Sequence, residues 1–480
     1  MRMSAEVRDF GAEQNGGPQE QAVLAQRLGR FAAELRVEDV PSEVFDYARY
    51  LMLDSVGTAF AASGEEFATR ARRATALLGS GDQPVLALPD RLAPREAAML
   101  NATLIHGLDF DDTHTGSVVH VSASAFPAAM ASAVQSGRSC AELLLAYVLG
   151  IEVSARVGLV GNGGFHAAGF HPTGLVGAFG SAVAAARLAG LDVDGIVRAQ
   201  QVVGSMASGI LEFLEDGAWT KRLHPGWAAS SALTATAFAA AEWPGPRRVY
   251  EGRYGLYATH LVDPGWDISA ALDGLGERWE LLSTAVKPYP SCHFTHAFAD
   301  AILSLREHRG ITAEDVSRVR CLIHPSAAAV VCEPLENKRR PRDDYDAKFS
   351  VPFVIGACLQ RGQLTLAEFD DAALTDTTIH ELADRVQVAD DPDSRYPDAY
   401  SAAVEVELRD GTVLQHREET NRGHFERPLS REEIAEKFTA NMDQAGAAEV
   451  TEEVRSAVLG AEPETPAYDL AMNCVRSGRN

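Results

Sequence analysis

From about residue 20 to 245, apolar residues recur at every third or fourth position, the period of helices with one buried face. Leu24, Leu28, Phe31 and Leu35 mark the first such face. Pro41-Ser42-Glu43 opens the next, with Val44, Ala48, Leu51 and Val56 as its stripe. Pro94 starts a helix running toward Leu104, and Ala-rich stretches at 123–134, 141–160, 174–190 and 228–242 continue the pattern. Side chains this small let helix axes approach closely, which predicts an all-helical domain with a large interior.

After about residue 270 the period changes. Val316–His324 alternates and is β-branched, so it reads as a strand, and Arg385–Ala389 reads as another. Ala402–His416 reads as a hairpin whose turn uses Asp410-Gly411, residues that tolerate positive φ. Helical stretches at 295–307 and 348–361 lie between them, so a smaller α+β domain is expected over 271–425. Ser430-Arg-Glu-Glu433 has the form of a capping box before Ile434 and Phe438, and 450–460 is helical again. The expected organisation is a disordered polar tail at 1–22, a helical domain at 23–270, the α+β domain at 271–425, and helices at 426–480 that pack back on the first domain.

Composition narrows the class. A chain of 480 residues exceeds one compact core, and 46% hydrophobic with 23% charged residues is ordinary for a soluble enzyme. A net charge of −24 argues against nucleic acid or an anionic membrane as partner. The six cysteines form no CxxC pair, which fits a reduced, cytoplasmic protein better than a disulfide scaffold or a zinc ribbon. No signal-peptide core and no bilayer-length apolar run is present.

Against this background one segment stands out. His106-Gly-Leu-Asp-Phe-Asp-Asp-Thr-His-Thr-Gly-Ser-Val-Val-His120 concentrates three imidazoles and three carboxylates beside apolar helix sequence, where burial shifts pKa values. Three later segments fix imidazoles or cations among Gly, Pro and aromatic residues: Gly169–Gly174, Asp216–Trp227 and Lys287–His296. In an acidic protein, Lys221, Arg222 and Lys287 are candidates to hold an anionic substrate, Pro288 and Pro290 giving Lys287 a rigid frame. The His106–His120 cluster matches no strong metal motif, and some of its aspartates suit helix capping instead. Gly174–Gly180 reads GxxGxxG with no strand before it, so it predicts a tightly packed helix rather than a nucleotide loop, with His171 just before the helix start. No GxSxG nucleophile signature occurs. The inventory points to acid–base chemistry on a carboxylate-bearing small molecule.

The runs HGLDFDDTH…HVSASAFPAAMA, GFHPTGLVGAFGSAVAAARLAGLD, DGAWTKRLHPGWAA and VKPYPSCHFTHAFADAI resemble the MmgE/PrpD family, in the same order, from about residue 25 to 460. That family includes 2-methylcitrate dehydratase, cis-aconitate decarboxylase and iminodisuccinate epimerase. The resemblance implies a mainly α protein, with a large all-helical domain built from both ends of the chain and a smaller α+β lid. It also implies a homodimer, no metal and no organic cofactor. The implied catalytic residues are Asp109, His120, His171 and Lys221; Thr113, Lys287, Arg222, His224 and Tyr289 are expected to bind substrate. Where cis-aconitate decarboxylases place a lid tyrosine, the alignment puts Phe353, which counts against a simple decarboxylase unless Tyr345 or Tyr289 compensates.

Proton removal α to a carboxylate builds enediolate-like charge, which Lys221, Lys287 and His171 would stabilise, with Asp109 or His120 as base and the other as acid. The leading expectation is a cofactor-free dehydratase acting on a 2-methylcitrate-like di- or tricarboxylate. The alternative is an epimerase of a substituted succinate; a cis-aconitate-type decarboxylase and a silent polycarboxylate-binding protein rank lower.

Overall fold

The computed structural model describes residues 23–396 and 398–476; the polar tail at 1–22 lies outside the described residues. The fold is mainly α with a smaller α+β domain. Its helical part is organised by α1 (Ser42–Ala62), α2 (Pro94–His106), α3 (Val121–Gln135), α4 (Cys140–Gly161), α5 (Gly177–Leu188) and α6 (Thr220–Ala240). These helices pack closely because their contact faces carry almost no side chain. A Cβ on Gly180 of α5 would meet the Gly150 carbonyl and the Ser154 hydroxyl of α4 at 2.2 and 2.1 Å. The glycines of the GxxGxxG run therefore serve helix contact. The helix there is interrupted, however, into Pro172–Leu175 and α5.

One apolar core draws on Val23–Val286 and again on Leu429–Cys474; a second draws on Tyr289–Leu414. The second is built by α7 (His296–Arg309) and α8 (Val351–Arg361) against a four-stranded sheet of β1 (Val316–Ile323), β2 (Val386–Asp390), β3 (Ala402–Leu408) and β4 (Val413–Glu418), in the order β2-β1-β3-β4. β1 runs parallel to β2 (Val319 opposite Val386) and antiparallel to β3 (Cys321 opposite Val404). Alternate residues Val319, Cys321, Val404 and Val406 face the core, while Arg318–Glu407 and Arg320–Glu405 pair across the other face at 2.6 and 3.0 Å. The β3–β4 turn places Gly411 at φ 88°.

The chain then returns. The Ser430 hydroxyl accepts from the Glu433 N–H at 3.1 Å and Glu433 accepts from the Ser430 N–H at 2.8 Å, a capping box that starts α9 (Arg431–Gln444). Ile434, Phe438 and Met442 enter the first core. Against the expectation of no bilayer-length apolar run, α4 is, among the described residues, one helix long and apolar enough to cross a membrane; 94% of its apolar window is buried inside the protein, so its length and apolarity serve the core.

Candidate active site

The His106–His120 segment starts where α2 ends and finishes as the residue preceding α3. Asp109 adopts φ 55°, a left-handed conformation uncommon outside Gly, Asn and Asp. Successive carbonyls here take buried ammonium groups: Leu108 from Lys348, Asp109 from Lys287 and Phe110 from Lys437, each at 2.8 Å. Thr113–His114 pairs antiparallel with Thr284–Ala285, which brings Lys287 alongside.

The Asp109 carboxylate lies 2.5 Å from Lys221 Nζ and 3.3 Å from Lys287 Nζ, and its Oδ2 has no hydrogen-bond partner. Burial alone would raise this carboxyl; Lys221 and Lys287 outweigh it and hold Asp109 well below the usual carboxylate range. Asp109 reciprocates by keeping Lys221 charged above its ordinary range against burial.

Three buried imidazoles stand beside this pair, and the partners on their Nδ1 atoms define their tautomers. His106 Nδ1 donates to Asp111 at 2.8 Å, and His120 Nδ1 donates to the Asp112 carbonyl at 2.8 Å. Both acceptors lack a proton of their own, so in the neutral rings Nε2 carries the lone pair. His171 shares one hydrogen bond, Nδ1 to Nδ1 at 3.0 Å, with His224. Burial, reinforced by Lys287 and opposed by Asp111, pushes His120 down to about 3. Burial and then Lys221 push His171 well below its ordinary range. His120 is therefore a neutral base at pH 7.

His106, His120 and His171 each bring one ring nitrogen within 4.8 Å of the others, so among the described residues these three are placed to hold a transition metal. Lys221 and Lys287 next to His120 oppose a dication there and favour an anion.

The pocket lies between the two cores. Asp109, Thr113, His120, His171, Lys221 and Lys287 line it, six of the nine residues singled out in the sequence. The other three have different work. Arg222 is enclosed by the rings of Tyr345, Phe67 and Trp219 at 4.2, 4.4 and 5.1 Å, with Asp344 at 3.3 Å, and so joins the two domains instead of reaching substrate. His224 stands behind His171, and the Tyr289 hydroxyl donates to Asp300 at 2.7 Å. Lys221 and Arg222 lie on the first turn of α6. Phe353 packs in the second core against Phe369, so it removes no hydroxyl from the pocket, and Tyr289 has none to spare.

His293 was overlooked in the sequence although it lies within the Lys287–His296 run. It lines the pocket. Asn421 Nδ2 donates to the Arg422 carbonyl at 3.1 Å, which orients the amide, and the same Nδ2 meets His293 Nε2 at 2.9 Å. His293 Nε2 is thus the acceptor, and its Nδ1 is an N–H that is buried without a partner. Burial and His296 keep the ring neutral. Tyr400, Cys292 and His166 also line the cavity, among apolar walls from Phe213, Phe294, Val330 and Phe349.

Residues 26–269 match the family description MmgE/PrpD N-terminal domain, and residues 289–460 match the MmgE/PrpD C-terminal domain. Among curated relatives, the chain is 28% identical to cis-aconitate decarboxylase of Mus musculus over 415 residues, covering 85% of this chain and 84% of that protein. It is 28% identical to the Homo sapiens enzyme of the same name over 421 residues, covering 85% of each. It is 24% identical over 479 residues to cis-aconitate decarboxylase of Aspergillus terreus, covering 94% of this chain and 96% of that one.

Proposed function

The chain belongs to the MmgE/PrpD family, and on that premise we propose that it is a lyase of the dehydratase type acting on a small di- or tricarboxylate. The observation carrying this reading is the His120 tautomer. With Nδ1–H committed to the Asp112 carbonyl, a neutral Nε2 lone pair is left at the pocket wall as a base for a proton α to a carboxylate. Asp109 does not compete for that proton, because Lys221 and Lys287 both engage its carboxylate, at 2.5 and 3.3 Å. Its role is to align Lys221 and Lys287, whose charges meet the substrate carboxylates and the enediolate-like charge that develops. The unpartnered His293 Nδ1–H supplies a neutral donor to the same anion. Loss of hydroxide completes the step: the C–H proton passes to His120 Nε2, the C–O bond breaks as the alkene forms, and the hydroxide takes that proton back from His120 and leaves as water. With the shared proton on His224, His171 Nε2 carries the N–H that meets the leaving hydroxide.

The names of the relatives favour a second reading, decarboxylation of an unsaturated tricarboxylate. That reaction breaks the C–CO₂ bond and ends by delivering a proton to carbon, for which His120, neutral with a lone pair on Nε2, holds no proton at the pocket wall. Proton NMR in D₂O of the chelator-treated protein with hydroxy tricarboxylates, unsaturated tricarboxylates and substituted succinates tests the choice. A new alkene signal from a hydroxy acid is expected, and it should disappear in His120→Asn. Conversion of an unsaturated tricarboxylate to an unsaturated dicarboxylate with new alkene signals, hydroxy acids staying untouched, would establish the decarboxylase. Deuterium at an α-carbon without alkene would establish an epimerase.

A further inference from the structure

The three lysines that end on consecutive carbonyls are not equivalent. Lys287 is part of the pocket. Lys437 has a carboxylate of its own, Asp54 at 2.6 Å. Lys348 reaches out of the α+β domain, is 1% exposed, and spends its ammonium on the neutral Leu108 carbonyl, with the Phe369 ring at 5.5 Å. Burying a cation against a carbonyl is unfavourable unless its position matters.

The position matters because of Asp109. The Leu108 carbonyl belongs to the peptide plane before Asp109, and the Asp109 carbonyl to the plane after it. Holding the first through Lys348 and the second through Lys287 sets both backbone dihedrals of a residue at φ 55°. Those dihedrals direct the carboxylate onto Lys221. The same residue also holds the other side of the pocket, since the Lys348 carbonyl accepts from the Cys292 N–H at 2.9 Å, next to His293. We infer that Lys348 is a positioning residue of the reaction centre, seated from the α+β domain to aim Asp109 at Lys221.

This rests on the proposed reaction only for its kinetic readout. Asp344, Arg222, Asp109 and Glu65 are the charged groups facing Lys348, and burial pushes its amine down to about 8. Its charge, and with it the stronger hydrogen bond, is therefore lost above that pH.

Lys348→Gln keeps polarity but ends short of the carbonyl. We expect kcat to fall by about tenfold or more while KM stays within about threefold, the split that marks a lost transition-state contribution. The alkaline limb of kcat that is expected near pH 8 in the parent protein should vanish. Amide hydrogen exchange at residues 109–113 should accelerate about tenfold or more, with α4 unchanged. Lys348→Arg, a donor at every accessible pH, should recover most of kcat and move the limb to higher pH. A folded Lys348→Gln protein with kcat within about twofold of the parent and unchanged exchange overturns the inference. If Lys348→Gln does not fold, Lys348→Arg decides, and an alkaline limb left where the parent has it overturns the inference. The exchange experiment needs no substrate, so a wrong reaction assignment would leave it intact and be recognised separately.

Discussion

Arg156 and Lys221 are both buried cations of the helical domain, and their surroundings could hardly differ more. The five N–H groups of Arg156 are all used: Nε on Glu152 at 3.1 Å, and the two terminal nitrogens on the carbonyls of Ala271, Asp273, Gly274 and Arg278 at 3.4, 2.8, 3.2 and 2.5 Å. Lys221 sits in a cluster that leaves Asp109 Oδ2, His106 Nε2 and His293 Nδ1 without partners. A saturated buried charge fixes the course of a loop. The unpartnered atoms around Lys221 stand at or beside the pocket, where polar atoms of a ligand can meet them.

The sharpest way to break this contrast is at the base. His120→Asn should lower kcat by about 10²–10⁴ while thermal stability changes little, as measured by turnover of whichever acid reacts in NMR and by melting. Lys221→Met should lower kcat/KM by about 10²–10³, since one of the two cations opposite the developing charge is gone. Arg156→Met should do the reverse. It takes one donor from Glu152 and from each of four buried carbonyls and leaves the Glu152 charge without its cation, so urea unfolding should show a loss of about 3–5 kcal/mol while the folded fraction keeps its turnover.

Acid titration sharpens the comparison further. His120, His224 and His296 have folded values pushed down by burial to about 3, 4 and 3, against an ordinary 6.5. Below pH 6.5 the unfolded chain takes up protons that the folded chain refuses, so these groups lower stability as pH falls from 6.5 toward 3. The urea midpoint should decline across that window, and His224→Gln should flatten part of the decline. The smallest effect is expected at Arg222→Leu, which removes the cation from its aromatic enclosure and should lower stability by roughly 1–2 kcal/mol, leave kcat at pH 7 unchanged, and move the alkaline limb slightly upward because a cation facing Lys348 is gone.

What the sequence made legible follows from range. Helix periodicity, the capping box at Ser430 and the Asp410-Gly411 turn are local signals, and the elements they predict are present. The six pocket residues were found because each lies in a run with unusual local chemistry. His293 shared such a run yet was passed over, because its tautomer depends on Asn421, more than a hundred residues away. Lys348 carried no signal, since a lysine aimed at a carbonyl is indistinguishable in sequence from one in solvent. Arg222 misled for the opposite reason. Its neighbour Lys221 lines the pocket, but adjacent residues on α6 point in different directions, and the aromatic rings that enclose it come from Phe67 and Tyr345 as well as Trp219.

The return of α9 to the first core carries a consequence for synthesis. When the ribosome has made the chain as far as Val286, the helical domain still lacks Ile434, Phe438 and Met442, and the Phe110 carbonyl still lacks Lys437. The α+β domain, whose core draws only on Tyr289–Leu414, is the part able to close first. The larger domain receives the last side chains of its core, and the Phe110 carbonyl its ammonium, only after that.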